Sequence, residues 1–128
     1  MHQNKKETGK QARIDGYKAE NFAALFLKLK GYKILERNFK PPKGTGAGEI
    51  DIIAEKHNTI IFIEVKKRKS LSSAAEAVNE QVQSRRIKGA QYFLMTHPAL
   101  INKEMRFDVI LLSSGHFPEH IKNAFTES

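Results

Sequence analysis

Two acidic residues and a lysine are spaced along the chain in a way that could build a site for phosphate chemistry. Asp51 lies in one isoleucine-rich segment, and Glu64 and Lys66 lie at the end of the next. Carboxylate oxygens are preferred ligands of Mg²⁺, and a lysine ammonium beside them can contact a phosphate. The elements that carry these three residues decide whether their side chains meet.

The two isoleucine-rich segments, residues 49–54 and 59–65, have the composition of β-strands, and the short link between them predicts a hairpin. If the hairpin turns symmetrically about the middle of this link, Asp51 lies directly opposite Glu64. Directly opposed side chains have Cβ atoms about 5 Å apart. Lys66 points to the same face as Glu64, because the side chains of a strand alternate between faces.

Two facing carboxylates repel each other by about 3 kcal/mol at an effective dielectric constant of about 20. The repulsion can be relieved by a raised pKa of one acid, by a nearby cation or by a bound divalent metal. We therefore interpret Asp51, Glu64 and Lys66 as a magnesium (or manganese) site aimed at phosphate. An exposed strand end with solvated charges is the alternative that these residues alone leave open.

A further acid, Glu20, is predicted to join this group from the first helix. It shares a helical line with Ala23, Ala24 and Leu27. A carboxylate within an apolar line needs a partner that satisfies it, which the site could provide. A glutamate at the boundary of the buried face is the competing interpretation.

Apolar periodicity predicts an α/β domain with the element order α-β-β-β-α-β and a mixed central sheet flanked by helices. The predicted strands cover residues 32–39, 49–54, 59–65, 106–112 and 120–125. The first helix starts near residue 14, has an apolar face that includes Phe22 and Leu29, and has its C-cap at Gly31. The second helix opens near Ser73 and ends before Pro98. We expect one domain over residues 14–128, preceded by a flexible basic arm over residues 1–13.

Composition favours nucleic acid as the partner. The chain has 22 Lys and Arg against 14 Asp and Glu, a formal net charge of +8, and no cysteine, which excludes disulfides and Cys-based zinc sites. No stretch approaches the roughly 20 apolar residues that span a bilayer, so we expect a cytoplasmic protein without a membrane partner. Self-association into a homodimer is left open.

Five basic residues are candidates for contact with nucleic-acid phosphates. Lys40 and Lys43 belong to the glycine-rich loop after the first strand, and Lys67, Arg68 and Lys69 follow the strand that carries Glu64. A run of basic residues beside paired carboxylates is suited to holding a phosphate backbone. A solvated strand end is again the alternative.

The motifs that carry these residues resemble those of the PD-(D/E)XK nuclease superfamily, and more closely those of the YraN-like family of bacterial proteins. The matching segments are Ala19-Glu20, Gly31-Tyr32 with Asn38, Gly48 to Ala54 (GEIDIIA), Phe62 to Lys66 (FIEVK) and Arg106 to Val109 (RFDV). The resemblance implies a restriction-endonuclease-like core, shared with archaeal Holliday-junction resolvases. It also implies a divalent-metal-dependent endonuclease that acts on DNA, including branched or structured DNA.

The resemblance also implies a role for each site residue. Asp51 and Glu64 bind the metal ion. The carbonyl of Val65 and the carboxylate of Glu20 complete the ligand set, and Lys66 positions the attacking water or stabilises charge on the scissile phosphate. A protein that keeps the nuclease fold as a non-catalytic nucleic-acid-binding or assembly module is the alternative function.

Two positions depart from the superfamily pattern. Glu49 stands where many members carry proline, although this is usual for YraN-like sequences. Val82 lies in the second helix where relatives often carry a lysine, so we do not expect this helix to contribute to catalysis.

Two further groups of polar residues are interpreted as outside the site. Asp108 could join the acids, but an ion pair with Arg106 on the same strand is the favoured interpretation. His116 and His120 have the spacing of helical zinc ligands, yet Pro118 between them argues against a helix and thus against a zinc site.

Overall fold

The computed structural model describes residues 18–67, 80–113 and 115–125 of the chain. Within these residues, helix α1 covers 18–29 and helix α2 covers Glu80–Met95. The strands are β1 (Lys33–Phe39), β2 (Ile50–Lys56), β3 (Thr59–Lys67), β4 (Glu104–Leu112) and β5 (Glu119–Phe125). A short 3-10 helix, Pro98–Leu100, lies between α2 and β4.

The strands of the described residues form one mixed sheet in the order β1-β2-β3-β4-β5. Only β3 and β4 among these neighbours are parallel, and the other pairs are antiparallel. A parallel pair needs a crossover connection, and α2 lies in that connection. The predicted fold class and element order are therefore confirmed, and the strand predicted over residues 120–125 is present as β5.

Helices α1 and α2 cover opposite faces of the sheet. Successive side chains of β3 point to opposite faces, so alternate residues of this strand pack with different helices. Ile61 and Ile63 are buried in one core cluster with Leu27 of α1. Phe62 is buried in a second cluster with Phe93 of α2, and the two rings meet edge to face with centroids 6.0 Å apart. The sheet thus has an apolar core on each side.

The end of α1 follows from a single glycine. Gly31 has φ +90°, which a residue without a side chain adopts without strain. Its N–H donates to the carbonyl of Lys28 at 3.0 Å, and the N–H of Tyr32 donates to Leu27 at 3.0 Å. This is the Schellman pattern of a helix C-terminus, so the predicted C-cap is confirmed.

The apolar face of α1 is narrower than its sequence suggests. Leu27 is fully buried, but Phe22, Leu25 and Leu29 have 52%, 54% and 80% of their surface exposed. Spacings of three and four residues place these three on a stripe of their own, turned away from the sheet. Phe22 and Leu29 therefore follow the predicted helical spacing but lie outside the buried face of the helix.

The strand ends differ from the predicted ones by one to two residues. β2 extends to Lys56 and β3 starts at Thr59, so the hairpin turn contains His57 and Asn58 alone. The turn is symmetrical about His57 and Asn58, so β2 and β3 pair in the predicted register. The basic arm predicted over residues 1–13, the helix start predicted near residue 14 and the capping signal at Ser73 lie outside the described residues. No helix in the described part of the chain is long and apolar enough to cross a membrane.

Candidate metal and phosphate site

The β2–β3 hairpin positions the two predicted acids opposite each other. Ile53 pairs with Phe62, and the ladder ends toward the site with Ile52 and Ile63. Continuing this register by one residue places Asp51 opposite Glu64. The predicted register is therefore confirmed by the pairs next to the acids.

The Asp51 carboxylate accepts a backbone hydrogen bond at the point where the β2–β3 ladder ends. The backbone N–H of Val65 donates to Oδ2 of Asp51 at 2.8 Å. A strand N–H that would otherwise face a backbone acceptor is thus satisfied by a side chain. This hydrogen bond fixes the Asp51 side chain at the end of β3, beside Glu64.

The pKa of Asp51 shows that its charge is poorly accommodated. Burial raises this pKa from its ordinary value of 3.8 to about 6, the hydrogen bond from Val65 opposes the increase, and the charge of Glu64 adds to it. Arg86 lowers the pKa and Glu20 raises it by smaller amounts. One of the three predicted ways to relieve the facing carboxylates, a raised pKa, is therefore present.

Glu64 is held by two cations. Only 6% of the residue is exposed, and its Oε1 lies 2.9 Å from Nζ of Lys66 and 2.7 Å from a terminal nitrogen of Arg86. The Nε of Arg86 lies against Oε2 of Glu64, yet neither of these two buried atoms has a hydrogen bond. The two atoms therefore form an ion pair without hydrogen-bond geometry. A nearby cation, the second predicted form of relief, is also present.

Arg86 is the member of the site that the sequence did not reveal. Helix α2, which we expected to stay out of the site, supplies it. The helix can approach because Gly89 has no side chain: a Cβ there would collide with the carbonyl oxygen of Gly48. The N–H of Gly48 also donates to the carbonyl of Arg85 at 2.8 Å. The sequence has a glycine at both contacting positions, Gly48 and Gly89, but only the folded protein shows that these two residues meet.

Glu20 lies near the pair without joining it directly. It is 8% exposed, and its Oε1 accepts a hydrogen bond from Nε of Arg37 at 3.2 Å. Arg37 also donates to Asn21 at 2.6 Å, which ties α1 to β1. The charge of Glu20 reaches Asp51, whose pKa it raises. Arg37 is the partner that a carboxylate in an apolar line needs.

The described residues contain two carboxylates that fit a divalent cation, and the third predicted carboxylate, Glu20, is paired with Arg37. Asp51 and Glu64 offer hard oxygen ligands, Oε2 of Glu64 is buried without a hydrogen bond, and the Val65 carbonyl belongs to the same strand end. No group of three or more His, Cys, Asp or Glu side chains is assembled as a metal cage in the part of the chain that the structure describes.

A cavity of about 250 Å³ lies beside the acids. It is lined by Gly48, Glu49, Val82, Arg85 and Arg86. Arg86 thus separates the cavity from Glu64. The cavity is polar and carries two guanidinium groups, which suits an anionic group next to the acids.

The lysines predicted to contact phosphate are exposed where the structure describes them. Lys40 and Lys43 lie in the loop after β1, and Lys67 ends β3 two residues from Val65. Arg68 and Lys69 lie outside the described residues. The three described lysines are therefore accessible to an anionic ligand, and their assignment to phosphate stays a prediction.

Fold and site define a mixed α/β protein with a buried and a partly buried acid paired at the end of its central hairpin. The profile of the uncharacterised protein family UPF0102 matches residues 19–112, which include nearly all of α1, all but one of the strands and the site. The chain therefore belongs to the UPF0102 family, and the resemblance to YraN-like proteins is confirmed.

Relatives in several bacteria support this assignment over most of the chain. A UPF0102 protein of Rhodopseudomonas palustris (strain BisA53) is 44% identical over 113 residues, covering 88% of this chain and 84% of the relative. One of Bradyrhizobium sp. (strain BTAi1 / ATCC BAA-1182) is 47% identical, with 88% and 80% covered. One of Paramagnetospirillum magneticum is 39% identical over 110 residues, with 86% and 85% covered.

Proposed function

We propose that this protein is a divalent-metal-dependent endonuclease that hydrolyses phosphodiester bonds in DNA, including branched or structured DNA. The observation that carries the proposal is the placement of Asp51 and Glu64 on neighbouring antiparallel strands, with one acid opposite the other. A protein selected for stability alone gains nothing from facing buried carboxylates. Magnesium or manganese fits their oxygen ligands.

Each residue of the site has its own role in the proposed reaction. A bound divalent ion supplies a Lewis acid that lowers the pKa of water and stabilises charge on the phosphate. Asp51 and Glu64 hold that ion with the Val65 carbonyl, while Glu20 adds negative charge nearby. Lys66, whose side chain is 18% exposed, orients the attacking water or donates to a phosphate oxygen. Water attacks phosphorus, and the bond from phosphorus to the leaving sugar oxygen breaks.

Arg86 gives the acids a counter-ion in the absence of metal. Its guanidinium contacts both oxygens of Glu64 and borders the open cavity. If Glu64 held an ion, this guanidinium would be available to donate hydrogen bonds to a phosphate in the cavity. The substrate backbone is held further out by Lys40, Lys43 and the basic run Lys67-Arg68-Lys69, through non-specific phosphate contacts.

A second candidate function is a binding module without turnover. The observation that favours it is that Lys66 and Arg86 already neutralise Glu64, and that no third carboxylate completes a cage among the described residues. In such a protein the basic surface binds nucleic acid, and the acids serve the fold alone.

The first experiment measures metal binding apart from catalysis. Calorimetric titration of metal-free protein with Mn²⁺ should show binding that Asp51→Asn and Glu64→Gln abolish. Glu55→Gln is the matched control, because Glu55 pairs with Lys103 away from the site and should leave binding intact. Wild-type protein that takes up no Mn²⁺ or Mg²⁺ contradicts the metal-site proposal.

The second experiment separates the enzyme from the binding module. Duplex, flap and junction DNAs are incubated with Mg²⁺ or Mn²⁺, and cleavage is compared between wild type and Lys66→Gln. The enzyme predicts cleavage that Lys66→Gln and chelation both remove, while DNA binding persists. Metal-independent DNA binding without cleavage of any substrate supports the module instead.

DNA affinity itself should depend strongly on salt. The slope of log affinity against log salt steepens by about 0.9 for each phosphate that the protein neutralises on duplex DNA. Replacing Lys67, Arg68 and Lys69 together by glutamine should therefore flatten the slope and leave the fold intact. An affinity that does not change with salt contradicts the assignment of these residues to phosphate.

A further inference from the structure

A second polar group lies on the sheet face that α1 covers, centred on Asp108 of β4. Asp108 is fully buried and its carboxylate accepts four hydrogen bonds: two from Arg106, at 2.8 and 2.9 Å, one from His120 at 2.7 Å and one from the N–H of Asn123 at 2.9 Å. The favoured ion pair of Arg106 with Asp108 is thus confirmed. Asp108 does not join the metal site.

His120 connects Asp108 to Lys30 through its two ring nitrogens. Its Nε2 lies 2.7 Å from Oδ2 of Asp108, and its Nδ1 lies 2.8 Å from Nζ of Lys30. Since an ionised carboxylate only accepts, Nε2 carries the ring proton, so Nδ1 accepts a hydrogen bond from the lysine nitrogen. The His120 side chain is only 4% exposed, and its ring packs against Phe26 and Tyr32. The imidazole is therefore fixed in one orientation.

Lys30 is surrounded by cations and is partly exposed. Burial lowers its pKa, the charges of Lys122 and Lys56 lower it further, Asp108 opposes them, and Arg106 adds a smaller decrease. Its Nζ lies 4.9 Å from the centre of the Phe26 ring. Lys30 is thus an accessible amine with a histidine positioned to accept its proton.

We propose that Lys30 is a nucleophilic amine that accepts an acyl group from acyl phosphates, with His120 as its base and Asp108 as the group that orients the base. The order acid, imidazole and nucleophile is the one by which enzymes activate hydroxyls and thiols. Here an amine takes the third position. An acyl phosphate is favoured over an uncharged acyl donor because Lys56 and Lys122 can bind its phosphate.

The acylation step balances without a further reactant. The Nζ lone pair of Lys30 attacks the carbonyl carbon, an amide bond forms, and the bond from that carbon to the phosphate oxygen breaks. Phosphate leaves with the electron pair. The proton lost by Nζ passes to Nδ1 of His120 and then to the departing phosphate. The product is an uncharged Lys30 amide, so the cationic group loses one charge.

The test is the acetylation rate of each lysine in the intact protein, measured by quantitative mass spectrometry at neutral pH with acetyl phosphate. Lys28 and Lys33 are the internal references, because both are exposed and lie within three residues of Lys30. Lys30 should react at least about tenfold faster than either, a modest part of what general-base catalysis provides. Lys30 reacting at or below the reference rates overturns the proposal.

Two variants test the individual roles. His120→Gln keeps a donor for Asp108 and an acceptor for Lys30 but cannot take a proton, so Lys30 should fall to the reference rates. Lys122→Gln should slow acetylation by acetyl phosphate but not by the uncharged donor p-nitrophenyl acetate. An unchanged Lys30 rate in a folded His120→Gln protein contradicts the base assignment. The wild-type comparison alone decides the proposal if that variant does not fold.

Discussion

Two aspartates on this sheet, Asp108 fully buried and Asp51 partly buried, have opposite electrostatic surroundings. Asp108 accepts four hydrogen bonds, and its neighbours His120 and Arg106 hold its pKa below the ordinary value of 3.8, although burial acts in the other direction. Within the described residues, Asp51 accepts one hydrogen bond, from Val65, and burial raises its pKa to about 6.

This contrast distinguishes an acid whose charge is stabilised by its neighbours from one whose charge is not. A carboxylate whose lone pairs are filled by donors is stabilised as an anion inside the protein. A carboxylate with one donor and a second acid opposite it costs stability whenever it is ionised. Under the proposed function, a divalent cation would offset this cost.

Among single substitutions, Asp108→Asn should cost the most stability. The change leaves the partly buried Arg106 without its carboxylate and turns an amide NH₂ toward donors, so the free energy of unfolding should fall by about 3–5 kcal/mol at neutral pH. Urea unfolding measures this. Because the folded pKa of Asp108 is lowered, its contribution is complete above pH 3.8 and is lost as pH falls through the folded pKa.

The matched control for Asp108→Asn is Glu55→Gln. That change removes the partly exposed ion pair of Glu55 with Lys103, so it should cost less than about 1 kcal/mol. Equal costs for the two variants would mean that the four hydrogen bonds of Asp108 add nothing beyond an ordinary surface pair.

Asp51→Asn should raise the free energy of unfolding at neutral pH, by less than Asp108→Asn lowers it. The folded pKa of Asp51 is about 6 and the ordinary value is 3.8. Ionised Asp51 therefore destabilises the folded protein, and this loss of stability grows as pH rises from 3.8 to about 6. The variant should therefore be more stable above about pH 7, by on the order of 2–3 kcal/mol, and equal to wild type below about pH 4. Thermal melts without metal at several pH values measure the difference.

Added Mn²⁺ should reverse the comparison for Asp51. Ligand binding stabilises only the protein that binds it, so the wild type should gain stability with metal concentration and Asp51→Asn should not. A variant that is destabilised at every pH would instead identify Asp51 as a structural acid whose bond to Val65 holds the strand ends together.

Glu20→Gln should change stability least. Arg37 and Glu20 have side chains that are 32% and 11% exposed, and such pairs contribute less than about 1 kcal/mol. Because Glu20 also raises the pKa of Asp51, the variant should shift the Asp51 titration toward lower pH, which NMR of the carboxyl carbon can follow. An unchanged titration would place Glu20 outside the electrostatic reach of the site.

The parts of the site that depend on local geometry were predictable from the sequence. Isoleucine alternation and a short link were enough to place Asp51 opposite Glu64, because the turn fixes the register of a hairpin. The ion pair of Arg106 and Asp108 was also accessible, since residues two apart on a strand share a face.

The parts that depend on distant elements were not predictable. Arg86 reaches Glu64 through the rotation of α2 and the close approach of Gly89 to Gly48, neither of which leaves a local pattern. His120 and Lys30 are 90 positions apart, and their contact requires the complete sheet. Long-range polar contacts follow from tertiary packing, which periodicity does not encode.

The hairpin turn also affects the order of folding. His57 and Asn58 have φ values of 50° and 61°, the conformation of a tight type I′ turn. Hairpins form in about 1–10 µs, whereas the parallel pairing of β3 with β4 must first close a long loop. We therefore expect the two acids to come into register early, with Asn58→Ala slowing folding and Val109→Ala mainly accelerating unfolding in stopped-flow measurements. Repulsion between the acids then acts on the folding rate itself, so that acidic solution should speed the formation of this hairpin.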